Sequence, residues 1–170
     1  MDPVRLSVTE IGTPAGTIVL VSRGPAVVGL VYKDRWKGME ADLARRFGKV
    51  SFEESPKGGR AADALRRYFA GDLEALADVL VDTAGTAFQE RVWKALRRIP
   101  AGTTWSYAQL ARAVGNPSAV RAVAGANARN PVSVVVPCHR VIASDGKLAG
   151  YGGGLPRKRW LLAHEGAILA

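Results

Sequence analysis

The sequence predicts an α+β protein in two parts. Residues 1–84 should form a small antiparallel-sheet domain with helices, and residues 85–170 a mostly helical domain containing a helix-turn-helix. Three observations carry this. β-branched runs bounded by glycine and proline crowd the first 32 residues, helical spacing takes over after "DTAGT" at residues 82–86, and the net charge of +9 falls wholly in the second part.

In chain order, "RLSVTEI" and "GTIVLVS" are β-branched runs separated by the turn-rich "GTPAG", and "AVVGLVY" follows "RGP". Three adjacent strands in a meander is the simplest arrangement. "WKGMEADLARRF" and "AADALRRYFAG" have amphipathic helical spacing and flank a short strand at "KVSFEE", while "LADVLVD" reads as a further strand and "ESPKGG" as a loop. "DTAGT" is the expected linker. Beyond it, "AFQERVWKALRRI" sets Phe88, Val92, Leu96 and Ile99 on one helical face. Ser106 with Gln109 has the form of a capping box opening "YAQLARAV", and Gly115 is placed to close that helix. Asn116 and Pro117 fit an N-cap and first-turn proline for "SAVRAVAGANA". Two helices joined by "GNPS" outline the helix-turn-helix.

Composition bounds the chemistry. A hydrophobic content of 48% suits a globular chain, and no apolar run approaches the ~20 residues that span a bilayer. The N-terminus has neither a basic nor an apolar leader region, so the expectation is a soluble, cytoplasmic protein, nucleoid-associated in a prokaryote or nuclear in a eukaryote. One cysteine and two histidines make a poor stock of ligands, so no metal is expected. Residues 1–84 carry 12 basic and 12 acidic side chains, whereas residues 85–170 carry 12 basic against only Glu90, Asp145 and Glu165. That asymmetry points to a polyanion met by the second domain, since neutralised phosphates release counterions. In the second helix of the pair Ala119, Ala122, Ala124, Gly125, Ala126 and Ala128 leave a slim surface around Arg121, suited to tight core packing or to close approach to nucleic acid.

The single cysteine, Cys138, sits in "PVSVVVPCHRVI", which reads as a buried strand run interrupted by Pro137. A lone buried cysteine is commonly an inert small hydrophobe. Next to a histidine it can instead be a nucleophile, the ring taking the thiol proton directly or through a water. Neighbouring strand side chains face opposite ways, so Cys138 and His139 cooperate only if Pro137 bends the chain or a water bridges them.

"PCHRVI", together with "FQERVWKALRRIPAGTTWSYAQLA", "RAVAGANARNP" and "GYGGGLPRKRWLLAHEG" in that order and spacing, resembles the O6-alkylguanine-DNA alkyltransferase family over about residues 85–166. The first half resembles that family's ribonuclease H-like N-terminal domain by pattern only. The resemblance implies repair of duplex DNA by irreversible, single-turnover transfer of an alkyl group from guanine O6, and less well from thymine O4, to Cys138 after base flipping. No cofactor is implied, and the protein would act as a monomer on double-stranded DNA, away from membranes.

The same resemblance assigns roles. His139 matches the base that takes the thiol proton through a water, Glu165 the carboxylate that orients and charges it, and Asn130 a brace for the turn behind the site. Tyr107 matches a phenol near guanine N3, and Val141 a backbone carbonyl that reads the guanine amine. Tyr151, Gly152 and Lys158 are expected to border the substrate pocket, Gly152 standing where family members often carry serine or alanine. Arg121 matches a finger that fills the gap left by the flipped base, with Ala119, Ala122, Gly125, Ser106 and Tyr107 at the DNA surface. Some members hold zinc through N-terminal cysteines and histidines, and this sequence has none before Cys138. Two other readings compete: a non-catalytic lesion-binding or regulatory helix-turn-helix protein, which would not need the thiol, and a Cys-His hydrolase, which would leave the charge split unexplained.

Overall fold

The computed structural model describes residues 2–169. The chain divides into two compact units, Met1–Ala84 and Gly85–Ala170.

In the first unit the β-branched runs form β1 (Val4–Ile11), β2 (Ile18–Arg23) and β3 (Ala26–Tyr32), paired antiparallel as a meander. Helix α1 (Trp36–Phe47) covers one face, setting Met39 and Leu43 against Leu6, Val19, Val21 and Val28. A Cβ on Gly29 would stand 2.7 Å from Met39 Sδ, so the helix approaches β3 this closely only because that position has no side chain. β2 is buried at four consecutive residues, Ile18 to Val21, and therefore on both faces. Helix α2 (Gly59–Phe69) packs on β1.

Two expectations for this unit need correction. The sheet is mixed, not wholly antiparallel: β4 (Val50–Glu54) pairs parallel to β1, giving the order β3-β2-β1-β4. A helical crossover returns the chain, so the strand after α1 runs in the same sense as β3 and hence as β1. "LADVLVD" is not a strand. Its buried residues, Leu76 and Val79, are spaced by three and belong to tight turns, and only a bridge from Val27 to Val81 joins it to the sheet.

The second unit opens with α3 (Ala87–Leu96), capped by a reciprocal box between Thr86 and Gln89. Val92, Leu96 and Ile99 are fully buried as the spacing predicts, whereas Phe88 is half-buried beneath the Arg91 guanidinium. The capping box at Ser106 opens α4 (Tyr107–Ala113), with Gln109 N–H donating to Ser106 Oγ at 3.1 Å and Ser106 N–H to Gln109 Oε1 at 2.7 Å. Such a cap contributes about 1 kcal/mol. Gly115, at φ +81°, closes α4: its N–H reaches Arg112 O, and Asn116 N–H reaches Ala111 O.

Helix α5 (Val120–Ala128) starts later than the sequence predicts. Asn116 is not its cap, because Asn116 O accepts from Ala119 N–H and its side chain from Ser118 Oγ, which closes a separate turn first. The two helices pack together as a helix-turn-helix, and Trp93 Nε1 donates to Ala126 O at 2.8 Å to tie α5 to α3. Helix α6 (Leu155–His164) completes the unit.

The apolar run before Cys138 is buried but is not a strand. Residues 133–135 turn, and Cys138–Arg140 form one 3-10 turn. Prolines at 131 and 137 remove two ladder donors, and Asn130 supplies local bonds that compete with pairing. Two short strands follow from the rest: β5 (Trp105–Ser106) pairs parallel with β6 (Val141–Ile142).

Candidate active site

The β5–β6 pair assembles the site. Matching Trp105 with Val141 and Ser106 with Ile142 sets Tyr107, the first residue of α4, beside the segment that carries Cys138. Tyr107 is half-buried, and its phenol is pushed up by burial and by the charge that Cys138 can carry.

Two three-residue turns aim the cysteine. Val135 N–H reaches Ser133 O at 2.8 Å across Val134, which lies at φ +71°, a conformation that costs a β-branched residue about 1–2 kcal/mol. Cys138 N–H reaches Val136 O at 2.8 Å across Pro137, at φ −82° and ψ 65°. Asn130 spans both turns: its Nδ2 donates to Val136 O at 2.7 Å, and its Oδ1 accepts from Val132 N–H at 2.9 Å. Surrounding structure must over-determine a strained backbone for it to persist, and these bonds do so locally.

Cys138 is 7% exposed. Burial pushes its thiol up, while Asn130, Lys158 and the local backbone pull it down. His139 is wholly buried, and its Nε2 lies 2.9 Å from Glu165 Oε2. A carboxylate accepts only, so Nε2 carries the hydrogen, and in the neutral ring Nδ1 keeps its lone pair. Among the described residues Nδ1 has no bonding partner. Burial pushes the ring below the ordinary histidine range; Glu165 pulls it up, and Arg140 and Lys158 push it down. For Glu165, burial alone would raise the carboxyl, but its bonds to His139 and Arg140 hold it well below the usual carboxylate range.

Lys158, fully buried, donates from Nζ to Val141 O at 2.6 Å and to Ala149 O at 3.1 Å. The Val141 carbonyl therefore already accepts one bond, leaving one lone pair for another donor. Tyr151 is half-buried and Gly152 exposed in the segment leading to α6, and a Cβ on Gly152 would meet nothing within 4 Å. On α5 Arg121 and Ala122 are exposed, Ala119 and Gly125 half-exposed. Arg121 makes no hydrogen bond or ion pair among the described residues. The Ser106 hydroxyl is engaged in its cap. Cys138, His139, Glu165, Asn130, Lys158, Val141 and Tyr107 thus lie in one connected neighbourhood, while Ala119, Arg121, Ala122 and Gly125 form a separate, outward helix surface.

Arg140 escaped the sequence reading. It is 8% exposed and grips Glu165 with Nε to Oε1 at 2.8 Å and Nη2 to Oε2 at 2.9 Å, while Nη1 donates to Ile99 O at 2.6 Å. A cation directly after a Cys-His pair in an apolar run was the available signal, since a buried charge needs a partner.

A buried thiol next to a histidine held by Glu165, with a helix-turn-helix in the cationic half of the chain, fits the class of DNA alkyltransferases that carry an acceptor cysteine. The family model "6-O-methylguanine DNA methyltransferase, DNA binding domain" matches residues 87–167. A methylated-DNA–protein-cysteine methyltransferase of Salmonella typhimurium is 44% identical over 170 residues, covering 98% of this chain and 99% of the relative. The structure of Mycobacterium tuberculosis OGT in complex with DNA aligns with a TM-score of 0.78 at 40% identity, over 95% of this chain and 93% of that one. The O6-methylguanine-DNA methyltransferase of Pyrococcus kodakaraensis aligns at 0.69 and 26% identity, over 95% and 99%. The chain belongs to the methylated-DNA–protein-cysteine methyltransferase family.

Proposed function

We propose that this chain repairs double-stranded DNA carrying O6-alkylguanine, acting as a monomer wherever the DNA is held, with residues 85–170 as the DNA-binding and acceptor domain. The sulfur of Cys138 attacks the alkyl carbon, an S–C bond forms, the C–O6 bond breaks, and its electron pair remains on the guanine. The thiol proton passes through a water to His139 Nδ1, and the Tyr107 hydroxyl donates toward the departing base. Val141, Tyr151, Gly152 and Lys158 border the base, which reaches the pocket by flipping out of the duplex while Arg121 fills the gap. Ala119, Ala122 and Gly125 let α5 approach the groove closely, beside Ser106 and Tyr107.

The observation that carries this reading is the open Nδ1 of a ring whose other nitrogen Glu165 holds, on the residue next to the sole thiol. That arrangement is the nucleophile, base and orienter logic of activated nucleophiles. Incubation with excess O6-methylguanine duplex should add the mass of one methyl to each chain, on Cys138, and then stop. Cys138→Ser should bind the duplex and gain nothing. Multiple turnover would indicate a hydrolase, and binding without any mass gain a non-catalytic lesion binder.

A further inference from the structure

We propose that Arg140 is a positioning residue for this reaction: its forked grip on both oxygens of Glu165 lets the carboxylate orient His139 without charging it. The inference rests on the proposed alkyl transfer to Cys138 and adds to it the control of the base's charge state.

The bonding pattern is the starting point. Glu165 Oε1 accepts from Arg140 Nε, and Oε2 is shared between Arg140 Nη2 and His139 Nε2, at 2.8, 2.9 and 2.9 Å. A carboxylate serving only an imidazole in a dry site would favour the imidazolium, because its charge would have no other partner. An imidazolium has no lone pair at Nδ1 and cannot take a thiol proton. With Arg140 in place, Glu165 and the guanidinium already balance, so a proton that His139 took from solvent would be an uncompensated buried charge, whereas one taken from the thiol leaves the thiolate to balance it. Guanidinium is suited to this task because it stays protonated at all working pH values.

The other groups facing the ring act in the same sense or not at all. Lys158 on α6 adds a second positive charge, and Cys138 in the same 3-10 turn is a thiol raised by burial. Neighbouring α3 carries Arg91 and Lys94 on its exposed face. The third bond of Arg140, to Ile99 O beyond the end of α3, fixes the fork from behind at 2.6 Å. A lysine at 140 could supply the charge but not three bonds in one plane.

The test is single-turnover transfer from an O6-methylguanine duplex to the full chain between about pH 5 and 9. Arg140→Met should move the acid limb of the rate to higher pH, with a deficit of about tenfold near pH 6 that shrinks below about threefold near pH 8. Arg140→Lys should fall between Met and the parent. An equal fractional loss at every pH would mean that Arg140 serves folding alone and would overturn the proposal. Should both variants fail to fold, Arg140→Gln takes their place and NMR titration of the His139 ring decides: a ring that takes up its proton at higher pH than in the parent supports the inference, and one that titrates where the parent's does rejects it. Failure of the parent chain to become methylated at Cys138 would instead remove the underlying reading, which intact mass reports separately.

Discussion

The ammonium of Lys158 lies 2.6 Å from the carbonyl oxygen of Val141, fully buried and without a carboxylate bonded to it among the described residues. Burial pushes its pKa down to about 8, partly countered by Cys138. Between pH 8 and the ordinary lysine value of ~10.4 the unfolded chain holds a proton that the folded chain has released, so stability contributed by this group rises with pH across that window. Urea unfolding of the parent and Lys158→Met should diverge in the parent's favour by roughly 2–3 kcal/mol between about pH 7 and 10. A constant difference would show that Lys158 keeps its ordinary proton affinity.

On the acid side the slope has the same sign. His139 is held below the ordinary value of ~6.5, so its contribution is complete above that pH and declines below it, as the unfolded chain takes up a proton that the buried ring resists. Glu165, also held low, contributes above ~4.3 and loses its contribution as pH falls further. Unfolding free energy should therefore begin to fall near pH 6.5 and fall more steeply below about pH 4.5. Stability that stays flat from pH 7 to 5 would place His139 outside the buried network.

Removing the brace across the two tight turns should be costly. Asn130→Ala leaves Val132 N–H without its acceptor and frees Val134 to leave its positive φ, with a loss of about 2–4 kcal/mol from two local hydrogen bonds. Alkyl transfer should slow more than DNA binding weakens, because Cys138 loses its aim while α5 keeps its surface. Thermal unfolding with a single-turnover assay checks both. Unchanged transfer would show that Pro137 and the 3-10 turn orient the thiol alone.

Arg121 is exposed and uncommitted on α5, so Arg121→Ala should leave thermal stability within about 0.5 kcal/mol of the parent. It should slow transfer from duplex DNA far more than transfer from free O6-methylguanine, since only the duplex has a gap to fill. Equal losses on the two substrates would assign Arg121 to the chemistry or the fold.

Local signals were legible wherever the structure rests on neighbours in sequence. α1 spans the predicted "WKGMEADLARRF", Ser106 and Gln109 form the expected box, and Gly115 takes the left-handed conformation that ends α4. What escaped was long-range or very short. β5 and β6 have two residues each, too few for a period-2 pattern, and they pair across more than 30 positions. The apolar run before Cys138 reads as a strand because burial alone produces the same composition as a buried strand. Asn130 and the flanking prolines decide otherwise. Cys138 and His139 stood out by their adjacency, and Glu165 was reached by resemblance. Arg140 was not, because its partners, Glu165 and Ile99, stand 25 and 41 positions away.

The solitary thiol has a consequence for how this molecule counts. With one cysteine in 170 residues, the chain holds no second thiol to receive the group from Cys138 and restore it. A thioether is not exchanged as a disulfide is, because its carbon is no leaving group for a passing thiolate. On the proposed chemistry each chain is therefore a one-bit register, and the modified fraction of a population integrates past damage without fading until the chains are replaced. Repair capacity becomes a matter of copy number, with synthesis of new protein setting the long-term rate.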